Sequence, residues 1–307
     1  MSAAAEKPTV GFVGLGHMGA PMAANLVAAG YRVRGYDVVP EALAKARESG
    51  VETVASLAET ASGAAIVITM LPSGAHVHDC YEGGQGLLAH CAPGTLLVDC
   101  STIDVFDARE LHLAVARAGH RALDAPVSGG VVGAEAGTLT FMVGGAASDL
   151  QEAEPLLLVM GARAVHCGDA GAGQAAKICN NMLLGISMIG VAEAFVLADR
   201  LGLSQQALFD VASTSSGQCW SLTTNCPVPG PVPTSPANRD YQAGFAVALM
   251  LKDLRLSQSA AQASGALTEL GRHATEVYEQ LAAGGAGHKD FSAVYPAISE
   301  ASGRMAR

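Results

Sequence analysis

The stretch T-V-G-F-V-G-L-G-H-M-G-A-P-M-A-A-N-L-V-A-A-G at positions 9–30 decides how the rest of the chain reads. An apolar run, Val10–Val13, leads into Gly14-Leu15-Gly16-His17-Met18-Gly19 and then into Met22–Val27, a helical segment ended by Gly30. In a chain with 36 glycines a bare G-x-G-x-x-G match is weak, so the strand before it and the helix after it carry the weight. In that setting Gly14 makes the tight turn, Gly16 admits a pyrophosphate, and Gly19 lets helix and strand pack closely. The helix N-terminus adds unpaired N–H groups and the positive end of its dipole. The competing reading is a purely structural strand–helix turn.

Working outward, a second run, Arg32–Tyr36, ends at Asp37, 18 positions after Gly19. An acid there accepts hydrogen bonds from ribose hydroxyls and repels a 2′-phosphate, and Val38-Val39 follow it rather than an arginine. This pairing points to NAD over NADP, although the turn alone does not separate a nicotinamide from a flavin. Further strand-like runs are Ala65–Met70, Leu96–Asp99, Arg121–Asp124 and Thr140–Val143, with helical stretches between them. That alternation predicts parallel βαβ units, hence an α/β fold with an open, doubly wound sheet.

After Gly171-Ala172-Gly173 the pattern changes. From Gln174 to Arg200 the apolar residues cover nearly the whole helical circumference, which predicts a helix buried on every side, between domains or subunits. Helical segments continue to the C-terminus, broken at Cys226–Pro236, where five prolines fall within eleven residues; flanking helices make this a rigid loop inside a second domain. The expected division is a dinucleotide-binding domain at 1–171 and a helical substrate and oligomerisation domain at 172–307.

Composition excludes several classes. Half the residues are hydrophobic and 15% are charged, which suits a compact globular chain rather than a disordered one. A net charge of −10 argues against a nucleic-acid surface, which needs clustered Lys and Arg. The seven cysteines form no C-x-x-C pair, so reduced thiols in a cytoplasmic protein are expected. The first residues resemble neither a signal peptide nor a transit peptide, and the longest apolar stretch, Met182–Ala198, contains Glu193, so no membrane span is expected.

Lys177 and Asn181 lie four apart and share one face of the apolar helix. One reading is a lysine whose stem packs while its amine reaches solvent. The other is a general acid/base, since desolvation lowers a lysine's pKa towards neutrality, with Asn181 orienting the substrate hydroxyl or the amine.

Several segments together resemble the 3-hydroxyisobutyrate dehydrogenases within the β-hydroxyacid dehydrogenase family: the glycine turn at 11–26, D-A-P-V-S-G-G at 124–130 and G-A-G-Q-A-A-K-I-C-N-N at 171–181. To these are added S-S-G-Q-C-W at 215–220, P-V-P-G at 227–230, M-L-K-D-L at 250–254 and D-F-S-A-V at 290–294. The likeness runs from about residue 9 to 298. It implies a Rossmann domain, a long interdomain helix, an all-helical C-terminal domain and a homodimer or homotetramer. It also implies Lys177 as the catalytic residue with Asn181 beside it, and Ser128, Gly129 and Gly130 as the substrate-binding segment. A hydroxyl and successive N–H groups suit a carboxylate. Leu71, Pro72, Thr102 and Lys252 match positions lining the NAD site, and Lys252 with its neighbour Asp253 is also set with the substrate. His17 and His76 stand where asparagine is common in the family; both can still hydrogen-bond near the cofactor.

His76, His78, Asp79 and Cys80 resemble metal ligands by type, but no second pair at zinc spacing accompanies them, and a polar loop over the cofactor is the preferred reading. Trp220 and Phe245 read equally as pocket walls or core. The expected activity is NAD-dependent oxidation of 3-hydroxyisobutyrate, or of another small β-hydroxyacid such as tartronate semialdehyde's reduced form. A non-catalytic dinucleotide sensor is the distant alternative.

Overall fold

The computed structural model describes residues 7–305. The chain divides into two compact units, Met1–Lys177 and Ile178–Arg307. In the first, a nine-stranded sheet contains β1 (Thr9–Val13), β2 (Arg32–Tyr36), β3 (Glu52–Thr53), β4 (Ile66–Thr69) and β5 (Leu96–Asp99). It is completed by β6 (Arg121–Asp124), β7 (Val127–Ser128), β8 (Leu139–Gly145) and β9 (Gly161–Gly168). The order is β3-β2-β1-β4-β5-β6-β8-β7, with β9 on β8.

From β3 to β6 every pairing is parallel. Every residue of β4 and β5 is buried, which is why these strands read as continuous apolar runs rather than alternating ones. Ile66, Ile68, Leu96 and Val98 join Phe12, Met22 and Leu26 on one face of the sheet, while Val67 and Leu97 pack with Tyr81 and Leu111 on the other. The strand order reverses at β1, which has β2 on one side and β4 on the other. Ligands of open α/β sheets bind at such a reversal, outside the carboxyl ends of the strands.

Beyond β6 the sheet departs from the all-parallel expectation: β8 runs antiparallel to both β6 and β7. The only helix between β6 and β8 is Gly130–Ala136, seven residues long. At about 1.5 Å per residue it is too short to carry the chain back along a strand rising about 3.3 Å per residue. The next connection, the helix Ala147–Met160, is long enough, and β9 returns parallel to β8.

The long helix spans Ala172–Arg200. It is long and apolar enough to cross a membrane by length and composition. In the second unit, however, Met188, Ile189 and Ala192 pack with Met250, Leu254, Tyr278 and Phe291, and Phe195 packs with Leu222, Cys226 and Val228, as in a core helix. The expected burial on every side does not hold within one chain: Leu183 and Leu197 are 64% and 60% exposed on one stripe. The helix has more apolar surface than the other helices of its unit cover.

Among the described residues the second unit contains helices and no strand, its other long helices being Val247–Ser264 and Glu269–Ala283. The proline-rich segment is an ordered loop of this unit. Cys226 and Val228 are buried, Ser235 Oγ donates to the Cys226 carbonyl, and Tyr241 Oη donates to the Pro227 carbonyl at 2.9 Å. Asp290 accepts from Asn225 Nδ2, directly before that loop, and from the N–H groups of Gly244 and Phe245 further along the chain.

Candidate active site

The glycine turn sits at the sheet reversal. Gly14 has φ +91°, a region that favours glycine, and a Cβ there would overlap the Met70 carbonyl oxygen. Gly19 opens the helix Gly19–Ala28, and a Cβ on it would overlap the Gly14 carbonyl oxygen. Gly16 differs: it is exposed, and a Cβ built on it meets nothing within 4 Å. His17 is exposed beside it, Met18 is half-buried, and Leu15 is buried in the core.

Asp37, half-buried at the end of β2, is held from two sides. Its Oδ2 accepts from the Leu15 N–H at 2.6 Å and its Oδ1 from the Val39 N–H at 2.8 Å. A carboxylate has about four acceptor sites, so both oxygens keep capacity for hydroxyl donors. The open approach at Gly16 and the fixed acid at Asp37 fit a dinucleotide.

The loops after β4 and β5 are tied together. Leu71 N–H donates to Ser101 Oγ at 2.8 Å; Ser101 Oγ and Thr69 Oγ1 donate to Asp99 Oδ1 at 2.6 and 2.7 Å. This sets Leu71-Pro72 and Thr102 at the same sheet edge as Gly14. His76 Nδ1 bonds Ser73 Oγ at 2.7 Å on the exposed start of the following helix. His78 meets Glu82, and the thiol of buried Cys80 is pushed up to about 12, mainly by burial, so it stays protonated. Among the described residues no cluster of three or more His, Cys, Asp or Glu is placed to hold a metal ion.

Lys177 is 7% exposed, and its Nζ donates to the Val127 carbonyl at 2.8 Å. Ser128 follows at the end of β7, then Gly129 and Gly130 with φ +135° and +62°, backbone that side-chain-bearing residues rarely adopt. The amine and the D-A-P-V-S-G-G segment are thus neighbours in the first unit. In the second unit, Asn181 Nδ2 donates to Asp253 Oδ2 at 2.6 Å, both groups being buried, and Lys252 Nζ lies 3.7 Å from Asp253 Oδ1. Trp220 is 52% exposed, so it is not a core residue, whereas Phe245 packs edge-on against Phe291 at 5.8 Å.

Two family models cover these two regions. Residues 9–168 match the NAD binding domain of 6-phosphogluconate dehydrogenase, and residues 171–298 match the NAD-binding region of NADP-dependent 3-hydroxyisobutyrate dehydrogenase. A probable 3-hydroxyisobutyrate dehydrogenase of Mycobacterium tuberculosis is 55% identical over 93% of this chain and 96% of its own. The chain belongs to the 3-hydroxyisobutyrate dehydrogenase family. It is an NAD-dependent dehydrogenase of that family, and the NADP in the second description belongs to a region that does not include Asp37. The human mitochondrial 3-hydroxyisobutyrate dehydrogenase is 46% identical over 96% of this chain and 88% of that protein. An NAD-dependent L-serine dehydrogenase of Pseudomonas aeruginosa is 48% identical over 93% of this chain and 96% of its own. A solved Mycobacterium tuberculosis 3-hydroxyisobutyrate dehydrogenase with L-serine superposes at a TM-score of 0.92 with 53% identity, covering 95% of this dehydrogenase and 99% of that chain.

Sequence reading of this dehydrogenase passed over the polar layer beneath the site: Thr69, Asp99, Ser101, Asp124, His112 and Gln174. Asp124 and Gln174 stand inside the quoted motifs, and the signal available was a polar residue at the end of an apolar strand. Asp124 Oδ1 and Oδ2 accept from the Gly171 and Gln174 N–H groups at 2.8 and 2.9 Å, and His112 Nε2 lies 3.1 Å from Asp124 Oδ1.

Asp99 is 3% exposed, and burial raises its carboxyl above the usual range despite the opposing hydrogen bonds from Ser101 and Thr69. The folded state then holds that proton more tightly than the unfolded chain, so stability falls as pH rises through the folded value. Asp99→Asn keeps the oxygen that accepts from Thr69 and Ser101 and removes the charge. Its melting temperature is expected to exceed the parent's at neutral pH, with the gap closing as pH falls towards the ordinary carboxylate value of about 4. A gap of the opposite sign, or one independent of pH, would show that ionised Asp99 is no burden on the fold.

Proposed function

We propose that this chain oxidises 3-hydroxyisobutyrate to methylmalonate semialdehyde in valine breakdown, with Lys177 as general acid/base. The observation that carries the proposal is the buried Lys177 amine set against Val127, directly before Ser128-Gly129-Gly130. When bound, NAD accepts the hydride from the carbinol carbon. Lys177, neutral at the moment of reaction, takes the hydroxyl proton; in the reverse direction its ammonium returns that proton to the developing alkoxide. The Val127 carbonyl orients the amine in both states. Ser128 Oγ and the N–H groups of Gly129 and Gly130 hold the substrate carboxylate without a net charge, and Asn181 orients the hydroxyl, its own amide fixed by Asp253. Lys252 adds positive charge near substrate and cofactor.

In the cofactor site, the turn Gly14–Gly19 takes the pyrophosphate, Asp37 the adenosine ribose, and Leu71, Pro72, His76, Thr102 and Lys252 line the remainder. A homodimer or homotetramer in the cytoplasm is the assembly and location in keeping with this reading; the exposed Leu183–Leu197 stripe gives such an assembly apolar surface to cover.

A second reading has specific support: L-serine is named both in the Pseudomonas aeruginosa relative and in the solved Mycobacterium tuberculosis structure. 3-Hydroxyisobutyrate, L-serine and glycerate are to be compared with NAD and NADP in parallel. The largest kcat/KM is expected for 3-hydroxyisobutyrate with NAD. A higher value for L-serine would make the chain a serine dehydrogenase, and no NADH from any of the three would end the hydroxyacid reading. Preference for NADP would remove Asp37 from its role.

A further inference from the structure

Gln174 lies in the first turn of the lysine helix, three residues before Lys177, and its side chain is completely buried. Its Nε2 donates to the Ser101 carbonyl at 2.7 Å, and its Oε1 accepts from the Ile103 N–H at 3.2 Å. These are the carbonyl before Thr102 and the N–H after it, so the side-chain amide straddles Thr102 as a neighbouring strand's peptide group would. The Gln174 backbone N–H is itself fixed by Asp124 Oδ2.

We propose that Gln174 is a positioning residue that locks the Thr102 loop to the first turn of the helix carrying Lys177, setting the nicotinamide side of the cofactor in register with the catalytic amine. This rests on the roles proposed above for Thr102 and Lys177. Ser101, gripped by Gln174 on its carbonyl, also accepts from Leu71 N–H and donates to Asp99 through its hydroxyl, so the clamp reaches the loop after β4 as well. Only a side chain with one donor and one acceptor at this reach satisfies both backbone groups. Leucine leaves both buried and unpaired, and an ionised glutamate turns an oxygen towards the Ser101 carbonyl.

The test measures NADH affinity by fluorescence, kcat at saturating NAD and hydroxyacid, and melting temperature for Gln174→Leu, Gln174→Glu and Lys177→Ala. Gln174→Leu is expected to weaken NADH binding and lower kcat by roughly tenfold or more each, the scale of two buried polar groups left unpaired. Gln174→Glu is expected to bind NADH poorly at about pH 8 and to recover as pH falls to about 5.5, because a protonated carboxyl again donates to Ser101. The parent across the same range is the baseline, since Asp99, Asp124, His112 and Arg109, whose Nε donates to the Ala170 carbonyl just before this turn, are common to both proteins. Gln174→Leu within twofold of the parent in both affinity and kcat overturns the proposal. If that variant does not fold, Gln174→Glu decides: affinity that fails to recover on acidification overturns it equally. Should Lys177→Ala keep its turnover while the Gln174 variants lose NADH affinity as expected, the lysine's role falls and the clamp on the cofactor loop stands.

Discussion

Lys177→Ala is expected to bind NADH with the parent's affinity while kcat falls by about 10²–10⁴-fold, the usual contribution of a positioned general acid/base. Affinity is expected to survive because Gly14–Gly19 lie in the turn after β1 and the start of its helix, and Asp37 directly follows β2, all apart from the lysine helix. Loss of the amine also leaves the Val127 carbonyl without its 2.8 Å donor. A modest fall in melting temperature is therefore expected beside the kinetic effect, about 1–3 kcal/mol for a buried acceptor left unpaired. Steady-state kinetics with 3-hydroxyisobutyrate and NADH fluorescence titration check the two halves separately. Turnover near the parent's would remove Lys177 from the chemistry, and loss of NADH binding would make it a structural residue of the cofactor domain.

Alanine at Gly16 and at Gly19 is expected to fail in opposite ways. A Cβ at Gly16 meets no protein atom within 4 Å, so Gly16→Ala should melt within about 0.5 kcal/mol of the parent. In the cofactor site proposed above, the same methyl group would stand between the backbone and the pyrophosphate, so NADH affinity should drop by roughly tenfold or more. At Gly19 the added carbon meets the Gly14 carbonyl, a backbone atom that cannot swing aside. That variant should lose about 1–3 kcal/mol or more of stability as helix and strand are forced apart, and its NADH affinity with it. Thermal melts and binding titrations of the two proteins side by side are sufficient. Equal melting temperatures, or undiminished binding by Gly16→Ala, would contradict the division of roles between these glycines.

Four strands were legible residue for residue: Thr9–Val13, Arg32–Tyr36, Leu96–Asp99 and Arg121–Asp124. The strands at the two extremes of the sheet were not. Glu52–Thr53 and Val127–Ser128 are two residues each, too short for any periodicity, and Gly161–Gly168 carries arginine, histidine and cysteine on a largely exposed strand. The reversal of β8 was invisible because strand direction is set by the reach of the connecting segment, and apolar patterning is blind to it. Among the candidate residues, Lys177 stood out as a cation near the start of an apolar helix, and Asp37 by its spacing from the turn. Gln174 did not, since a glutamine directly after Gly171-Ala172-Gly173 is unremarkable until its partners, more than 70 residues earlier, are known. The stripe at Leu183 and Leu197 shows the converse: apolar residues announce that they are to be covered, without naming what covers them.

The long helix crosses the division between the two units immediately after Lys177. Its first six residues are hydrogen-bonded to the ends of β5, β6 and β7, through Gln174, Asp124 and the Val127 carbonyl, while Asn181 is fixed by Asp253 on a later helix. For anyone recombining members of this family, the Lys177 amine proposed as acid/base therefore travels with the dinucleotide module, and the Asn181 amide proposed to orient the substrate travels with the helical one. A splice at Gly171 would hand the recipient a lysine cut off from the three strand ends that aim it. A splice between Lys177 and Ile178 exchanges the helical module whole, and leaves the donor's amine in the socket it evolved with.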